Sequence, residues 1–377
     1  MCRAESIWST LVIAAAKEAF PDFFTPRDCL DRILFGSFRT IGYSWAAAPL
    51  LAKLLIWAVC VLWAGDWSWL SAFHKWDSYW YAGIVEGGYD DAATMLAHST
   101  GQSNWAFFPA YPLLVFTLGK ALSISTPWAM ELLSFPIALW CLVAAKHLFI
   151  IHGCPPNHGL RTFLLWPFSL FLYVHYSDAL FVALVLSSLI AIERKRVGLA
   201  AACLALLAIT RPNGMFFLPV GIIYWLARES GMWNGGLYSA SVMRRLLLLI
   251  FPPVLSFCAW CAYQWSMTGS AFAFSSAQAG WGRKLTWPWE GLFNSGGVAP
   301  QFESWYAIVL VLATAWYWRR LEWAFRVWLV LGIVGPMFSG SVDSMTRFAI
   351  AFFPLILVVA GDLSRAKRPG FAYAVLI

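Results

Sequence analysis

Long apolar stretches alternate with short polar stretches, many of them positively charged, along most of the chain. A helix needs roughly 20 mainly apolar residues to cross a bilayer, and somewhat fewer where aromatic residues flank it. On that criterion the pattern predicts about ten membrane-spanning helices and an all-α, polytopic membrane protein. The predicted spans lie near residues 46–65, 128–151, 162–176, 178–192, 197–210, 214–228, 246–267, 305–318, 324–339 and 347–361.

One further apolar stretch, "NWAFFPAYPLLVFTLGKALSI" (104–124), is interpreted as an interfacial helix rather than a span. Lys and Arg collect on cytoplasmic loops, and a span here would place "ERKR" (193–196) and "RAKR" (365–368) on opposite sides of the membrane. With the amino terminus inside and this stretch lying flat, these clusters face the cytoplasm. The external side then receives all motifs with candidate chemistry, at 66–127, 176–178, 210–214, 268–304 and 340–347.

Composition agrees with this pattern and excludes other classes of protein. Of the 377 residues, 60% are hydrophobic and 12% charged, whereas about a quarter of a soluble globular protein is charged. The 24 Trp suit membrane interfaces, where Trp and Tyr are enriched. The net charge of +7 comes from short clusters between apolar runs, which favours membrane topology over nucleic-acid binding. The 8 Cys are scattered and predict no disulfide framework.

The sequence predicts one membrane domain with two short flanking segments. Residues 1–44 are predicted to be cytoplasmic, with an interfacial helix at "PRDCLDRILFGSFRTI". A signal peptide is less favoured, because the apolar core of "STLVIAAAKEAF" is short and is interrupted by Lys17 and Glu18. The membrane domain covers 45–364, with 66–127 as its first external loop, and 365–377 form a tail. No internal repeat is visible.

Asp77 is the first residue that raises a question of function. It lies in "SAFHKWDSYWYAGIVEGGYD" (71–90), directly after the first predicted span. A carboxylate at a span end can cap a helix or pair with a cation such as Lys75 or Arg211. It can also act as a general base that takes a proton from a hydroxyl group at the membrane surface.

A series of motifs in fixed order resembles the PIG-V-type mannosyltransferases of the GT-C glycosyltransferase superfamily. "WDSYWY", "GGYDD" and "FFPAYP" resemble the first external loop of that family. "HYSDALF", "TRPNG", "QAGWGRKLTWPW" and "SMTRFAIAFFPL" resemble its later segments, although Phe348 stands where Tyr is common. The resemblance covers residues 76 to 355.

The resemblance implies a GT-C fold and a defined reaction. The family transfers mannose from a polyprenyl-phosphate carrier, of the dolichyl-phosphate type, to a hydroxyl group of a glycolipid or glycan. The reaction takes place on the non-cytoplasmic face, inverts the configuration to give an α-mannoside, and requires no metal or other cofactor. The short chain favours a bacterial plasma membrane, with the endoplasmic reticulum as the alternative.

The candidate site contains a base, several cations and an aromatic groove. Asp77 is the predicted base, and Arg211 is the first candidate for the carrier phosphate, followed by Arg283, Arg347 and Lys284. The alternative is that these arginines neutralise Asp77, Asp178 or Asp343, and that Asp178 caps a helix. The remaining predicted substrate-binding residues are Trp76, Tyr79, Phe108, Tyr111, Asp178, Asn213, Gln278 and Trp281.

Other functions are weighed against this interpretation. Glu86, Asp90 and Asp91 are too isolated to indicate a metal site, and the His and Cys residues at 147–158 fit no zinc template. A transporter or lipid flippase predicts polar residues and broken helices near mid-span. A non-catalytic GT-C-like subunit would keep the fold but not the activity, and the presence of Asp77 and Arg211 argues against it. These two remain the alternatives.

Overall fold

The structure is a computed structural model that describes residues 43–91, 101–229, 239–293 and 298–366. All regular secondary structure in these ranges is helical, which confirms the all-α prediction for the described part of the chain. The predicted amino-terminal segment and its interfacial helix lie almost wholly outside the described residues. Most of the predicted carboxy-terminal tail also lies outside them.

The helices have the following bounds. They are α1 (Ala48–Ala64), α2 (Trp69–Phe73), α3 (Asp77–Gly87), α4 (Ala110–Leu122), α5 (Thr126–Ile151), α6 (Pro156–Leu164), α7 (Asp178–Glu193), α8 (Val197–Ala208), α9 (Asn213–Leu226), α10 (Ala240–Thr268), α11 (Ala273–Ala277), α12 (Pro288–Phe293), α13 (Val298–Tyr317), α14 (Trp323–Leu329), α15 (Gly335–Met337), α16 (Met345–Phe348) and α17 (Phe353–Arg365). A helical turn at Tyr43–Ala46 precedes α1, and a π-helical stretch at Val330–Val334 joins α14 to α15. Short 3-10 turns lie at Asn104–Ala106, Ser169–Leu172, Gln278–Trp281, Trp318–Arg320 and Ala349–Ala351.

The core of the bundle is built around α7. Nearly all of its residues are apolar and buried, so the helix has no polar face to turn toward water. A helix that is apolar all round is stable only when neighbours surround it. α5, α8 and α9 supply this packing, and α10 packs in turn against α8 and α9.

Several helices are apolar enough for a membrane. α5 and α10 pass a test of length and composition for a membrane span, and α16 with α17 would make a third span that bends by 70° at a break. Five shorter apolar helices, at Ala48–Ala64, Ala110–Leu122, Val197–Ala208, Asn213–Leu226 and Trp323–Met337, do not pass alone. The architecture is therefore compatible with an α-helical membrane protein, and the count of ten spans and the GT-C fold remain predictions.

The predicted span over 162–176 is wrong. Helix α6 ends at Leu164, and the chain then forms turns and one 3-10 turn before α7. Two residues disfavour a continuous helix here. Pro167 has no backbone N–H and disfavours helical geometry at Trp166, and Phe168 has the left-handed φ of 66°. The stretch predicted as an interfacial helix forms α4, which begins directly after Pro109.

α7 and α9 run between the same two ends of the bundle. Asp178 begins α7, Asn213 begins α9, and both side chains line one small space, at what we call the site end. Glu193 ends α7 and accepts a hydrogen bond from Tyr224, in the last turn of α9, at what we call the far end. A helix the length of α7 spans about 24 Å, which is the approximate separation of the two ends.

Candidate functional site

A cavity of about 480 Å³ opens at the site end, and we call it the site cavity. It is bounded by the beginnings of α3 and α9, the segment after α11, and the segment from α15 to α16. Most of the residues predicted from the sequence line it, namely Asp77, Phe108, Arg211, Asn213, Gln278, Trp281, Arg283, Lys284 and Arg347. Segments separated by up to 270 positions therefore meet around one space.

Four predicted residues lie outside the lining of the site cavity. Trp76 and Tyr79 are 75% and 58% exposed, so their rings do not line an enclosed space. Tyr111 is buried behind Tyr81, with the two ring centroids 5.0 Å apart. Asp178 is buried and lines the small neighbouring space instead. None of these four residues lines the site cavity.

A tight turn places Asp77 at the start of α3. The Ser78 N–H donates to the Lys75 carbonyl over 3.1 Å, so that Trp76 and Asp77 occupy the two central positions of the turn. Trp76 has φ 46° and ψ −110°, a conformation that costs a residue with a side chain about 1 to 3 kcal/mol. The carboxylate at the first position of α3 also lies at the favourable, positive end of the helix dipole.

The two carboxylates of the site are each paired with an arginine. Asp77 accepts a hydrogen bond from Arg347, and Asp178 accepts one from Arg211. Arg347 also brings Nε to within 3.5 Å of Asp178 Oδ1, so one guanidinium lies between the two carboxylates. Arg211 and Arg347 therefore form ion pairs with Asp178 and Asp77, as the alternative interpretation expects. Lys75 pairs with Asp66 instead, at 3.8 Å.

Arg283 is the arginine of the site cavity that forms no ion pair with a carboxylate among the described residues. Its Nη2 donates to the Asp343 carbonyl over 3.2 Å, and this is a neutral acceptor. Burial, and next the nearby charge of Arg347, lower the pKa of Arg283 from its usual value. An arginine remains charged at neutral pH even so, which leaves a positive charge facing the cavity.

The loop that carries Arg283 is held in place by the backbone. The Lys284 N–H donates to the Ser339 carbonyl and the Thr286 N–H donates to the Phe338 carbonyl, each over 2.9 Å. This pairing ties the loop to the turn after α15. Lys284 is exposed at the cavity mouth and has no ion pair among the described residues, so the mouth carries a second uncompensated charge.

Much of the remaining wall of the site cavity is apolar and aromatic, and Thr210, Asn213, Ser275, Gln278, Ser339 and Ser344 add polar groups to it. Trp281 packs edge-on against Trp80 and Phe107, with ring centroids 5.6 and 5.9 Å apart. Phe108 packs edge-on against Phe274 at 5.2 Å. The cavity is also lined by Phe216, Leu285, Pro336 and Phe338. It thus combines a charged floor with an apolar wall.

Sequence reasoning selected Tyr79 and missed Tyr81, which does line the site cavity. Tyr81 follows Asp77 by four positions on α3, and side chains four apart lie on the same face of a helix. Its hydroxyl is 2.6 Å from Ser177 Oγ, and burial raises the pKa of Tyr81 to about 12, so it stays protonated. Helical spacing from Asp77 was the signal that could have identified it.

The described ranges contain no group of three or more His, Cys, Asp or Glu side chains arranged to hold a metal ion. No protein-family model matches the chain, and no curated protein and no solved structure shows significant similarity to it.

Proposed function

We propose that the protein is a membrane glycosyltransferase that moves a sugar, mannose by the resemblance of its motifs, from a polyprenyl-phosphate carrier to a hydroxyl group of a glycolipid or glycan. One observation carries this proposal most strongly. A carboxylate, Asp77, and a guanidinium that forms no ion pair among the described residues, Arg283, face the same cavity, and a large part of its wall is apolar and aromatic. Transfer from a lipid phosphate needs each of these three features.

In the proposed reaction the acceptor oxygen attacks the anomeric carbon, and the bond from that carbon to the phosphate oxygen breaks. The acceptor proton passes to Asp77, while the carrier phosphate leaves with the bonding electron pair. Asp77 is suited to this role because Arg347 fixes the direction of its carboxylate, and its side chain is 25% exposed. Cationic donors that are in place before the reaction stabilise the charge that develops on the leaving phosphate.

The phosphate is better assigned to Arg283 than to Arg211. Arg211 donates to the buried Asp178, and a phosphate that drew Arg211 away would leave that carboxylate with only the longer contact to Arg347, at 3.5 Å. Arg283 pays no such cost, because it donates only to a backbone carbonyl. A guanidinium also makes forked contacts to phosphate, and Lys284 adds a point charge at the mouth.

The apolar wall is the proposed place for the first isoprene units of the carrier. Phe216 and Phe338 line the cavity and are 48% and 39% exposed, so they face both the cavity and the outside of the bundle. A lipid chain that enters beside them would bury this surface. The site would then lie at the external or lumenal face, in a bacterial plasma membrane or, as the alternative, the endoplasmic reticulum.

The experiment that tests the function is a transfer assay with the purified full-length protein. We expect incubation with radiolabelled polyprenyl-phosphate mannose and a lipid extract of the host to give a labelled product that contains an α-mannoside. Release of the spent carrier as polyprenyl phosphate should match product formation. Absence of any labelled product, with donors carrying mannose and other hexoses, would refute the proposal.

A pair of variants tests the assignment of the phosphate. Loss of a charged hydrogen bond costs about 1.5 to 3 kcal/mol, so Arg283→Ala should raise the KM for the lipid donor about 10- to 100-fold with thermal stability nearly unchanged. Arg211→Ala is the matched control and should mainly lower the melting temperature, because it leaves the buried Asp178 with only the longer contact to Arg347, at 3.5 Å. If Arg283→Ala has a normal KM for the lipid donor and a folded Arg211→Ala has a raised one, then Arg211 binds the carrier phosphate.

A second candidate, a lipid flippase, is favoured by two observations. A second cavity, of about 530 Å³, opens at the far end of the bundle, and the helices near α14 and α17 are interrupted. Buried aromatic side chains between the ends, including Phe217, Trp328 and Phe352, argue against a continuous path. The test is transbilayer movement of fluorescent polyprenyl phosphate in proteoliposomes. Movement without sugar transfer would favour the flippase.

A further inference from the structure

A buried cluster of charged and polar side chains lies beside the site cavity without lining it. We call it the Glu131 cluster, and it consists of Lys53, Trp69, Glu131 and His175. Glu131 Oε2 is 2.5 Å from Lys53 Nζ and 2.9 Å from His175 Nε2, and Glu131 Oε1 accepts from Trp69 Nε1 over 2.9 Å. Lys53 is 1% exposed and His175 is fully buried.

Such a cluster has a cost. Burying a carboxylate and an ammonium away from water costs several kcal/mol per ion, and a well-packed apolar replacement is often at least as stable. Ionisable groups among apolar helices therefore favour a functional explanation. Lys53 gains partial compensation from the face of Phe73, which lies 4.0 Å from its Nζ.

The cluster holds the two chain segments that carry the site carboxylates. Trp69 lies in α2, eight positions before Asp77, and His175 lies three positions before Asp178. Glu131 thus accepts one hydrogen bond from each segment, through a different oxygen.

Further hydrogen bonds join these two segments directly. The His175 N–H donates to the Phe73 carbonyl over 3.4 Å, and the Tyr176 hydroxyl donates to the Lys75 carbonyl over 3.1 Å. Ser177 Oγ lies 2.6 Å from the Tyr81 hydroxyl. The two segments therefore lie side by side from the Glu131 cluster to the two carboxylates.

We infer that Glu131 is a positioning residue that fixes Asp77 and Asp178 relative to Arg347 by clamping the segments that lead to them. This inference rests on the proposed function for its catalytic consequence. Its structural content, the coupling of the two segments through one carboxylate, stands on the contacts alone. Glu131 does not line the site cavity, so its effect on the reaction is indirect.

Glu131 must be a carboxylate to hold both segments, because Trp69 and His175 each need one of its two acceptor oxygens. Glu131→Gln keeps the shape but offers one acceptor oxygen, so the N–H of Trp69 or of His175 loses its partner. His175 can take the other tautomer and accept from the amide, but this places a hydrogen on Nδ1. That atom is buried and has no hydrogen-bond partner, so the new N–H would be unsatisfied.

The main experiment combines turnover with hydrogen–deuterium exchange on the full-length protein. We expect Glu131→Gln to increase exchange in peptides covering both 69–78 and 173–180. Since a shift of about 1 Å at a catalytic group can cost about 100-fold, kcat should fall about 10- to 100-fold with a donor KM within about threefold of normal. Asp362→Asn is the control, because Asp362 also accepts three hydrogen bonds through both carboxylate oxygens, two from Arg320 Nη1 and one from the Tyr317 hydroxyl, at the far end. It should lower the melting temperature without these effects.

A double variant separates positioning from simple stabilisation. Lys53→Met with Glu131→Gln removes both buried charges, so the melting temperature should recover. We expect kcat to stay low, because two N–H donors still share one acceptor oxygen. Recovery of kcat together with the melting temperature would overturn the inference, as would normal exchange in both peptides of Glu131→Gln.

Trp69→Phe provides a second test of the inference if Glu131→Gln does not fold. It removes one donor to Glu131 and no charge, and should increase exchange in 69–78 and lower kcat severalfold. Normal exchange and normal kcat in this variant would also overturn the inference. A wild-type protein without transferase activity refutes the proposed function alone, because the exchange measurements still report on the clamp.

Discussion

Two aspartates with the same chemistry differ in what surrounds them. Asp77 and Asp178 both contact Arg347, but the Asp77 side chain is 25% exposed and lines the site cavity, whereas that of Asp178 is 4% exposed. A buried carboxylate with two arginine neighbours stabilises the fold, while an accessible one can exchange a proton with a bound molecule. Their asparagine variants therefore form a matched pair.

Asp77→Asn should lower turnover about 10²- to 10⁴-fold, the usual contribution of a positioned general base, with donor binding largely intact. Asp178→Asn should instead lower the melting temperature and affect turnover less. The measurements are kcat, donor KM and thermal unfolding on both variants. Near-normal turnover in Asp77→Asn, with a large loss of thermal stability, would leave Asp77 as a structural partner of Arg347.

The sequence predicted which residue types meet at the site but not how they pair. Arg347 and Asp77 are 270 positions apart, and Arg211 and Asp178 are 33 apart, so no local pattern specifies either ion pair. Two aspartates and three arginines allow several pairings of equal chemical merit. Only the structure shows that Arg211 and Arg347 pair with carboxylates. Arg283 is then the arginine of the site without an ion pair among the described residues.

At the level of helices, the contact between α8 and α9 depends on a glycine. A Cβ at Gly214 would lie 1.9 Å from the Leu207 carbonyl oxygen, and this is backbone that cannot rotate away. The motif "TRPNG" thus contains a packing residue beside the cavity-lining Arg211 and Asn213. Gly83 in α3 is the opposite case, because a Cβ there would meet nothing within 4 Å.

Gly214→Ala should destabilise the protein by at least about 2 kcal/mol, since inserted atoms force a backbone shift. Gly83→Ala should stabilise it by about 0.5 to 1 kcal/mol, because alanine loses less conformational freedom in a helix. Thermal unfolding of the two purified variants compares them directly. Equal melting temperatures would mean that α8 and α9 lie farther apart than described.

Helix positions followed from long apolar runs, as for α5 and α10, although Pro136 lies inside α5 and Pro252 and Pro253 lie inside α10. The run over 162–176 is equally apolar, but the helix there ends at Leu164, and the following segment carries His175 to Glu131. The contact between His175 and Glu131 joins residues 44 positions apart. Hydrophobic periodicity cannot predict such a contact.

For the whole molecule, the fold separates two sets of charged residues. Asp77, Asp178 and their arginines lie at the site end, and Glu193 with Arg228 and Glu322 lies at the far end. The distribution of Lys and Arg predicts that the far end faces the cytoplasm.

Cysteine labelling in intact cells tests this orientation. In a background lacking reactive native Cys, a membrane-impermeant maleimide should modify Glu86→Cys, which is exposed near the site end. It should modify Arg194→Cys, exposed at the far end, only after permeabilisation. The opposite result would place the site cavity on the cytoplasmic face.

The ion pairs of the site also determine how the reaction ends. Asp77 and Asp178 pair with Arg347 and Arg211, whereas Arg283 and Lys284 form no ion pair among the described residues, and the Asp343 carboxylate acts on Arg283 only from a longer distance. The lipid donor is a phosphodiester with one negative charge, whereas the spent carrier is a monoester whose second pKa is about 6, which makes it nearly doubly charged at neutral pH. We therefore expect polyprenyl phosphate to inhibit competitively, with an inhibition constant below the donor KM and a smaller difference in Arg283→Ala. An inhibition constant above that KM would contradict this expectation.

If the used carrier binds this tightly, its departure limits the catalytic cycle. Cellular output would therefore depend on how quickly other proteins remove and recycle that lipid.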